Sequence, residues 1–561
     1  MLSSYRKDSF HFIPTYKYKE YWLPLINAIV ICIIGTFPYL YGYYIAGEDR
    51  VFMGMVGRGT HASYGYIMFQ RQAMEGKTWQ RNQCTPENLP NRYFNIEWWL
   101  MGRLARWSGL TLIQIHHIDR IISVFLLTFT VYYFLCVVLG SLYQRIFAFL
   151  LIVYGSGLGW IIWLVNFLLN THYPYTWDIQ GVQVFGYMIN KPHFIRGFVF
   201  GTLMFAYLIR GYQTGKFVYF ILSGLAGLIH LIIRPHYAPE TFIIYLLLPA
   251  IYCWTTHKLD KKLYLYSVIA LAIHIPAFIY YAWLDMVDPL GIKMWTIKYE
   301  FLAKPGFLIE YIIGIGWTFL CCVIFLPYLL KQAKTSISVL MLLFWIFVTW
   351  FVCNLYPFWK LGQEAGFHVF YVASPALAIG GTWNWIQEKV NINEKFAFFT
   401  KKWVIISVCC MLFIVSIPTT AYVYINMFTS IKNGHPIWTY TISKDTYDAL
   451  RWLNENTPED SIVLATHRTS QFIFAETHCK TVTGNQTLTI NFSQKNAEVE
   501  RFFAEVDCDI FQRYLLNKYN VDYVLFGPYE KQLSGNIIPS ALRDCELVFR
   551  KGDTEIYHVK R

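Results

Sequence analysis

Charge is scarce in this chain. Of its 561 residues only 15% are charged, whereas a soluble globular protein carries about 25%. The deficit is local, because long stretches hold no charged residue at all. About 20 consecutive apolar residues are what a helix needs to cross a bilayer. A wholly soluble chain is therefore excluded. Organised cysteine is missing too. Twelve cysteines are present, with no Cys-x-x-Cys or Cys/His metal spacing. Several (Cys32, Cys136, Cys321, Cys322, Cys409, Cys410) fall inside apolar segments and read as small hydrophobes. Cys479, Cys508 and Cys545 fall in the polar tail, where a disulfide is left open. The polar tail has no Gly-rich phosphate loop, so it is assigned no nucleotide. Internal repeats and low-complexity tracts are absent. Mid-span charges and repeated halves with paired broken helices are also lacking, which ranks a transporter last. The first twenty residues are polar and basic and form no cleavable signal, so the apolar segment after them is expected to stay as a span.

Apolar residues make up 55% of the chain and aromatics 19%. The Trp and Tyr excess suits membrane interfaces, where an apolar body and a polar tip are both satisfied. The net charge of +12 invites a nucleic-acid reading, which fails because Lys and Arg are spread over short loops between apolar segments. The chain reads as a polytopic α-helical membrane protein, residues 1–430, followed by an α/β domain at 440–561. About eleven spans are expected, near 22–43, 121–141, 146–169, 194–210, 217–233, 237–255, 264–283, 307–329, 336–356, 369–386 and 402–425. Basic residues fill every second connection, from Arg6 and Lys7 through Arg145, Arg210, Lys258, Lys331 and Lys389. The positive-inside rule puts those connections in the cytoplasm. The N-terminus is then inside, and the 44–119 loop and the tail are extracytoplasmic.

Two stretches of that first loop, 61–76 and 95–107, mix aromatic and aliphatic residues with Arg. Read as helices they are amphipathic, lying in the interface plane or packing on neighbouring spans. In the tail, Ser443 is placed as the N-cap of a helix. Strands are expected at 461–465 and 521–526, one helix over 499–519, and a hairpin turning at Lys551-Gly-Asp. Alternating helix and strand argues for an independent α/β unit.

Certain pieces carry more. They are Gly47-Glu48-Asp49-Arg50 just past the first span, Asn190-Lys-Pro-His193-Phe194, Arg234-Pro-His236-Tyr237, and the tail segments Tyr447 to Pro458, Asn520 to Pro528 and Gly552 to Val559. With the overall layout they resemble the GT-C superfamily of polyprenyl-phosphate-sugar-dependent glycosyltransferases, such as protein O-mannosyltransferases and lipid A aminoarabinose transferases. The layout covers nearly the whole chain; the motifs cover little. The family often shows a second carboxylate in the next outer loop, and Asp178 matches it only loosely.

The resemblance implies transfer of a sugar from a polyprenyl-phosphate lipid to an extracytoplasmic acceptor. Such a displacement needs a base at the acceptor and cations on the departing phosphate. Asp49 stands where the family's catalytic Asp stands, with Glu48 as the second candidate; the plain alternative is a helix-end carboxylate paired with Arg50. Arg234, His236, His193, Lys191 and, more weakly, Lys360 are candidates for the donor phosphate. Against that stand a snorkelling Arg and structural histidines. Asp49, Arg234 and His236 are expected to line one outward-facing cavity. Asp119 and Arg120 read as a helix-end pair, and adjacent His116 and His117 point apart on a helix, too far to share a metal. No cofactor is assigned, and a divalent metal requirement is left open. Expected partners are membrane lipids, the donor lipid, an acceptor and, in the alternative reading, a larger membrane complex in which the chain is a non-catalytic GT-C-fold subunit or scaffold.

Overall fold

The computed structural model describes residues 18–57, 60–171, 184–257, 260–287, 308–354, 367–392, 398, 401–434 and 439–560. The chain divides into two compact units, one of residues 1–35, 119–281 and 299–426, the other of 36–118, 282–298 and 427–561.

The first unit is helical. Seven described helices or helix pairs of the chain are long and apolar enough to cross a membrane, the most apolar being Leu112–Val138, and an eighth arises if Leu142–Tyr154 and Gly159–Leu169 are one bent span. Phe217–Ile233 is apolar but shorter, and Phe367–Ile392 fills the tenth expected segment. Two expected spans differ from a single rod. The 146–169 segment bends by 55° after Tyr154. The 307–329 segment is broken into Leu308–Ile315, Trp317–Ile324 and Leu326–Ala333. Glycine is the cause: Gly316 sits at φ 94°, and a Cβ on Gly157 would meet the Ile313 carbonyl oxygen at 2.1 Å.

These breaks meet a third, between Lys402–Ser416 and Pro418–Asn433. The freed backbone groups answer one another. Ser156 N–H donates to Ser416 O at 2.9 Å and Leu158 N–H to Ile313 O at 2.7 Å, while the Thr419 hydroxyl donates to Gly157 O at 3.3 Å. Irregular backbone inside an apolar bundle is tolerated only on such terms. Beside the junction lies a cavity of about 280 Å³ lined by Val30, Ile34, Tyr154, Phe185, Phe413 and Tyr424 among others.

The second unit carries every described strand. β1 (Arg50–Phe52) pairs antiparallel with β2 (Thr441–Ser443), Val51 opposite Ile442. A five-stranded sheet has the order β4-β3-β5-β7-β6, built from β3 (Ile462–Leu464), β4 (Lys480–Thr481), β5 (Tyr523–Phe526), β6 (Glu546–Lys551) and β7 (Thr554–His558). β3 runs parallel to β4 and β5, and β7 antiparallel to β5 and β6. Both faces are covered, which is why these strands read as continuous apolar runs. Val463, Leu525 and Ile556 face one core, and Leu464, Val524, Phe526 and Tyr557 the other. Ser443 caps the Lys444–Asn456 helix by accepting the Thr446 N–H. The single helix expected over 499–519 is two, Phe492–Ala504 and Asp509–Lys518, interrupted by the turn through Val506 and Asp507.

The structure also bounds this unit differently from a tail beginning at 440. The Thr60–Met74 helix, expected at an interface or packed on neighbouring spans, is built into the sheet's core, with Tyr64 on Phe472 at 4.9 Å. The following loop hydrogen-bonds to the tail, Thr481 N–H to Gln83 O at 3.0 Å and Asn82 Nδ2 to Leu488 O at 2.6 Å. Buried Gln80 and Gln83 reflect that burial of loop against tail. Cys479, Cys508 and Cys545 are unbridged.

Candidate functional site

The helical unit gathers several of the candidate cations around one aromatic ring. The Pro192–Thr214 helix opens with His193 and Phe194, and Arg234 caps the end of Phe217–Ile233 before the Pro235–Tyr237 turn. The Arg234 guanidinium stacks on Phe194 at 3.8 Å. Arg234 is only 4% exposed. Its Nε and Nη2 donate to His236 Nε2 at 3.1 and 3.0 Å. His236 Nε2 must then be the acceptor, so that imidazole is neutral with its proton on Nδ1. Lys191 lies 5.1 Å from the Phe194 ring and 5.8 Å from Tyr187. His193 is buried edge-on against Phe194 at 4.5 Å. Arg234 Nη1 is buried with no hydrogen-bond partner among the described residues. A buried cationic donor left unanswered is costly and calls for an explanation.

The carboxylates lie in the other unit. Glu48 and Asp49 occupy an exposed turn between the Trp22–Ala46 helix and β1, entered through Gly47 at φ 59°. Lys444 N–H donates to Asp49 O at 3.1 Å, tying the turn to the start of the sheet unit's first helix. The Asp49–Arg50 pairing does not form. Arg50 instead grips Thr441, through Nε to Oγ1 and Nη2 to O, both at 2.9 Å. Among the described residues Asp49 makes no ion pair, so its carboxylate stays open to solvent. Lys360 and Asp178 lie outside the described residues. No group of three or more His, Cys, Asp or Glu side chains that could hold a metal occurs among the described residues.

No protein-family model matches the sequence, and no curated protein matches it either. Solved structures do. The archaeal oligosaccharyltransferase AglB from Archaeoglobus fulgidus, in complex with an inhibitory peptide and a dolichol-phosphate, superposes with a TM-score of 0.52 at 13% identity, over 94% of this chain and 73% of that one. The chain has the GT-C fold. The same oligosaccharyltransferase tethered with an acceptor peptide matches at 0.52 and 13%, over 91% and 69% of the two chains. ArnT from Cupriavidus metallidurans bound to undecaprenyl phosphate reaches 0.46 at 11%, over 95% and 97%.

Within this GT-C fold the structure shows groups that were not singled out from sequence. His230 is buried, its Nδ1 at 2.8 Å from Gly197 O and its ring 4.5 Å from Tyr237. Gly197 and Gly201 make room: a Cβ there would lie 2.6 Å from Arg234 Cδ and 3.0 Å from His230 Cε1. Their four-residue spacing is the small-residue signature of close helix packing in membranes, and it was legible. Asp119 pairs with Arg196, not with Arg120. Adjacent helical side chains diverge, and Arg120 lies against Gly35 instead. That pairing joins residues 77 positions apart in sequence, and no local pattern signals it.

Proposed function

We propose that the protein is a membrane glycosyltransferase that moves a sugar from a polyprenyl-phosphate donor to a hydroxyl or amine of an extracytoplasmic acceptor. The observation that carries this is the buried Arg234 guanidinium, held flat on Phe194 and by neutral His236, with Nη1 unanswered. A phosphate oxygen is the acceptor such a donor fits. The cluster stands at the junction of two apolar helices, where a lipid keeps its tail in hydrocarbon and its phosphate at the interface.

The acceptor oxygen or nitrogen attacks the anomeric carbon while the bond from that carbon to the phosphate oxygen breaks. The phosphate leaves with the electron pair, and Arg234, with His236, Lys191 and His193 around it, offsets the growing charge. The acceptor's proton goes to a carboxylate. Asp49 is assigned that role, Glu48 being next in line.

The test uses the full chain reconstituted in vesicles with a polyprenyl-phosphate sugar and an acceptor. Asp49→Asn keeps shape and removes the base, so transfer should fall by about two to four orders of magnitude, with polyprenyl-phosphate binding unchanged. Full activity in that variant removes Asp49 from the mechanism. Failure of the wild-type chain to bind polyprenyl phosphate defeats the whole reading and favours the non-catalytic subunit.

A further inference from the structure

Lys191 and His193 serve the phosphate; Asn190, at the head of the same segment, has no such charge to offer. Proline explains its place. Lys191 precedes Pro192 and is pushed out of the helical region, at φ −136° and ψ 72°. The Val184–Asn190 helix therefore ends at Asn190, which is held at a break in the chain. All seven residues of that helix are buried. Asn190 is its one amide and is only 8% exposed. Its Oδ1 is buried with no hydrogen-bond partner among the described residues. A stranded amide oxygen inside an apolar bundle is costly, and a leucine of similar shape would fill the space without that cost.

The surroundings are those of Arg234, in the same helical unit. Tyr187 lies three residues before Asn190, on the same face of the helix. Its ring stacks on Phe194 at 4.8 Å, 15° from parallel. Phe194 is the ring that carries the Arg234 guanidinium at 3.8 Å. An unanswered donor, Arg234 Nη1, and an unanswered acceptor, Asn190 Oδ1, thus border one aromatic pair. They need opposite partners. A phosphodiester offers only acceptors, so it answers Arg234 and leaves Asn190 unanswered. In a polyprenyl-phosphate sugar the hydrogen-bond donors are the hydroxyl or amino groups of the sugar, beside the phosphate. We infer that Asn190 reads the donor's sugar, Oδ1 accepting from one hydroxyl or amine while Arg234 holds the phosphate. A sugar without that group leaves Oδ1 stranded, and a site missing one polar partner rejects the analogue. The inference rests on the proposed donor site, because Arg234 places the phosphate from which the sugar hangs.

The experiment measures binding by the full chain, in vesicles, of undecaprenyl phosphate and of the same lipid bearing glucose, mannose, galactose or 4-aminoarabinose. Wild type should hold at least one glycosyl lipid about tenfold more tightly than the bare lipid. Asn190→Leu should abolish that preference and bind the bare lipid as wild type does, which also shows that the variant is folded. Monodeoxy analogues of the preferred lipid locate the group. One of them should cost wild type the same factor and cost Asn190→Leu nothing further. Should the leucine variant misfold, Asn190→Ala takes its place. Wild type that binds every lipid alike overturns the inference. So does a variant that keeps the preference, which leaves Oδ1 to a bound water, and so does an equal loss on the bare lipid, which makes Asn190 a phosphate ligand or a structural amide. Wild type that fails to bind even the bare lipid defeats the donor site itself, so the two failures are told apart.

Discussion

Arg234 in the helical unit and Glu530 in the sheet unit are both buried charged residues, and their surroundings differ. Glu530 is answered at both oxygens. Oε1 accepts the Thr466 N–H at 2.8 Å and the Thr466 hydroxyl at 2.6 Å, and Oε2 accepts Gly527 N–H at 3.1 Å. Burial still pushes its carboxyl above the usual range. Arg234 is answered at Nε and Nη2 and left open at Nη1. A saturated buried charge serves the fold. One that keeps a donor in reserve is a candidate for function, since nothing in the fold requires the vacancy.

Truncation separates the two cases. Glu530→Ala strands the Thr466 and Gly527 donors in the core, so the sheet unit should lose about 3 kcal/mol, read as earlier thermal unfolding or faster hydrogen exchange over 492–518. Chain that does fold should bind polyprenyl phosphate normally. Arg234→Ala should do the reverse. It removes one charge-assisted contact of about 1.5–3 kcal/mol, so affinity for polyprenyl phosphate should drop about ten- to hundredfold while unfolding stays near wild type. Swapped outcomes, with Arg234→Ala unfolding the helical unit and sparing lipid affinity, would make Arg234 a structural cation. Gly197→Ala is the milder version. Its methyl enters the space of Arg234 Cδ, so affinity should fall less than in Arg234→Ala, with transfer by bound donor preserved.

Much of this contrast was readable beforehand, unevenly. The spans, the strands β3 and β5, the hairpin and the Ser443 cap follow from local patterns: apolar length, short runs bounded by turn residues, a polar residue before a periodic segment. The Arg234-Pro-His236 and Lys191-Pro-His193 segments were visible as cations at helix ends. That Phe194 forms the floor beneath Arg234 was not, because stacking across two helices leaves no trace in spacing. The Asp119–Arg196 pair and the merging of the first loop with the tail were hidden for the same reason. Each depends on contacts between distant residues, and period-based reading sees one face of one element. The two amphipathic stretches of the first loop show this limit: similar composition, yet Thr60–Met74 is buried in the sheet unit's core and Ile96–Ser108 keeps an apolar stripe outside.

The smallest effect is a pH dependence that sharpens the Glu530 half of the comparison. His467 follows Thr466 directly in sequence, and its Nδ1 donates to Gly484 O at 2.7 Å. Burial lowers its pKa from 6.5 to about 4. A depressed folded pKa means that the fold favours neutral imidazole. That contribution is present above pH 6.5 and is lost as pH falls through 4, by about 3 kcal/mol at 1.36 kcal/mol per unit. Glu530 has the opposite sign. Its folded pKa lies above the ordinary 4.5, so its contribution is present below pH 4.5 and is lost as pH rises through the raised value. Buried Glu476, also raised by burial, acts with Glu530. The two signs offset each other in wild type, which should show a shallow stability profile between pH 4.5 and 6.5. His467→Asn keeps a donor for Gly484 O and removes the titration, so stability should then be highest in acid and decline as pH rises. Glu530→Gln keeps one acceptor and no charge, costs about 1 kcal/mol for the Gly527 contact, and should leave a profile that declines as pH falls. Unfolding midpoints of the full chain at several pH values give both slopes. Identical profiles in all three proteins would show that neither titration is coupled to folding of the sheet unit.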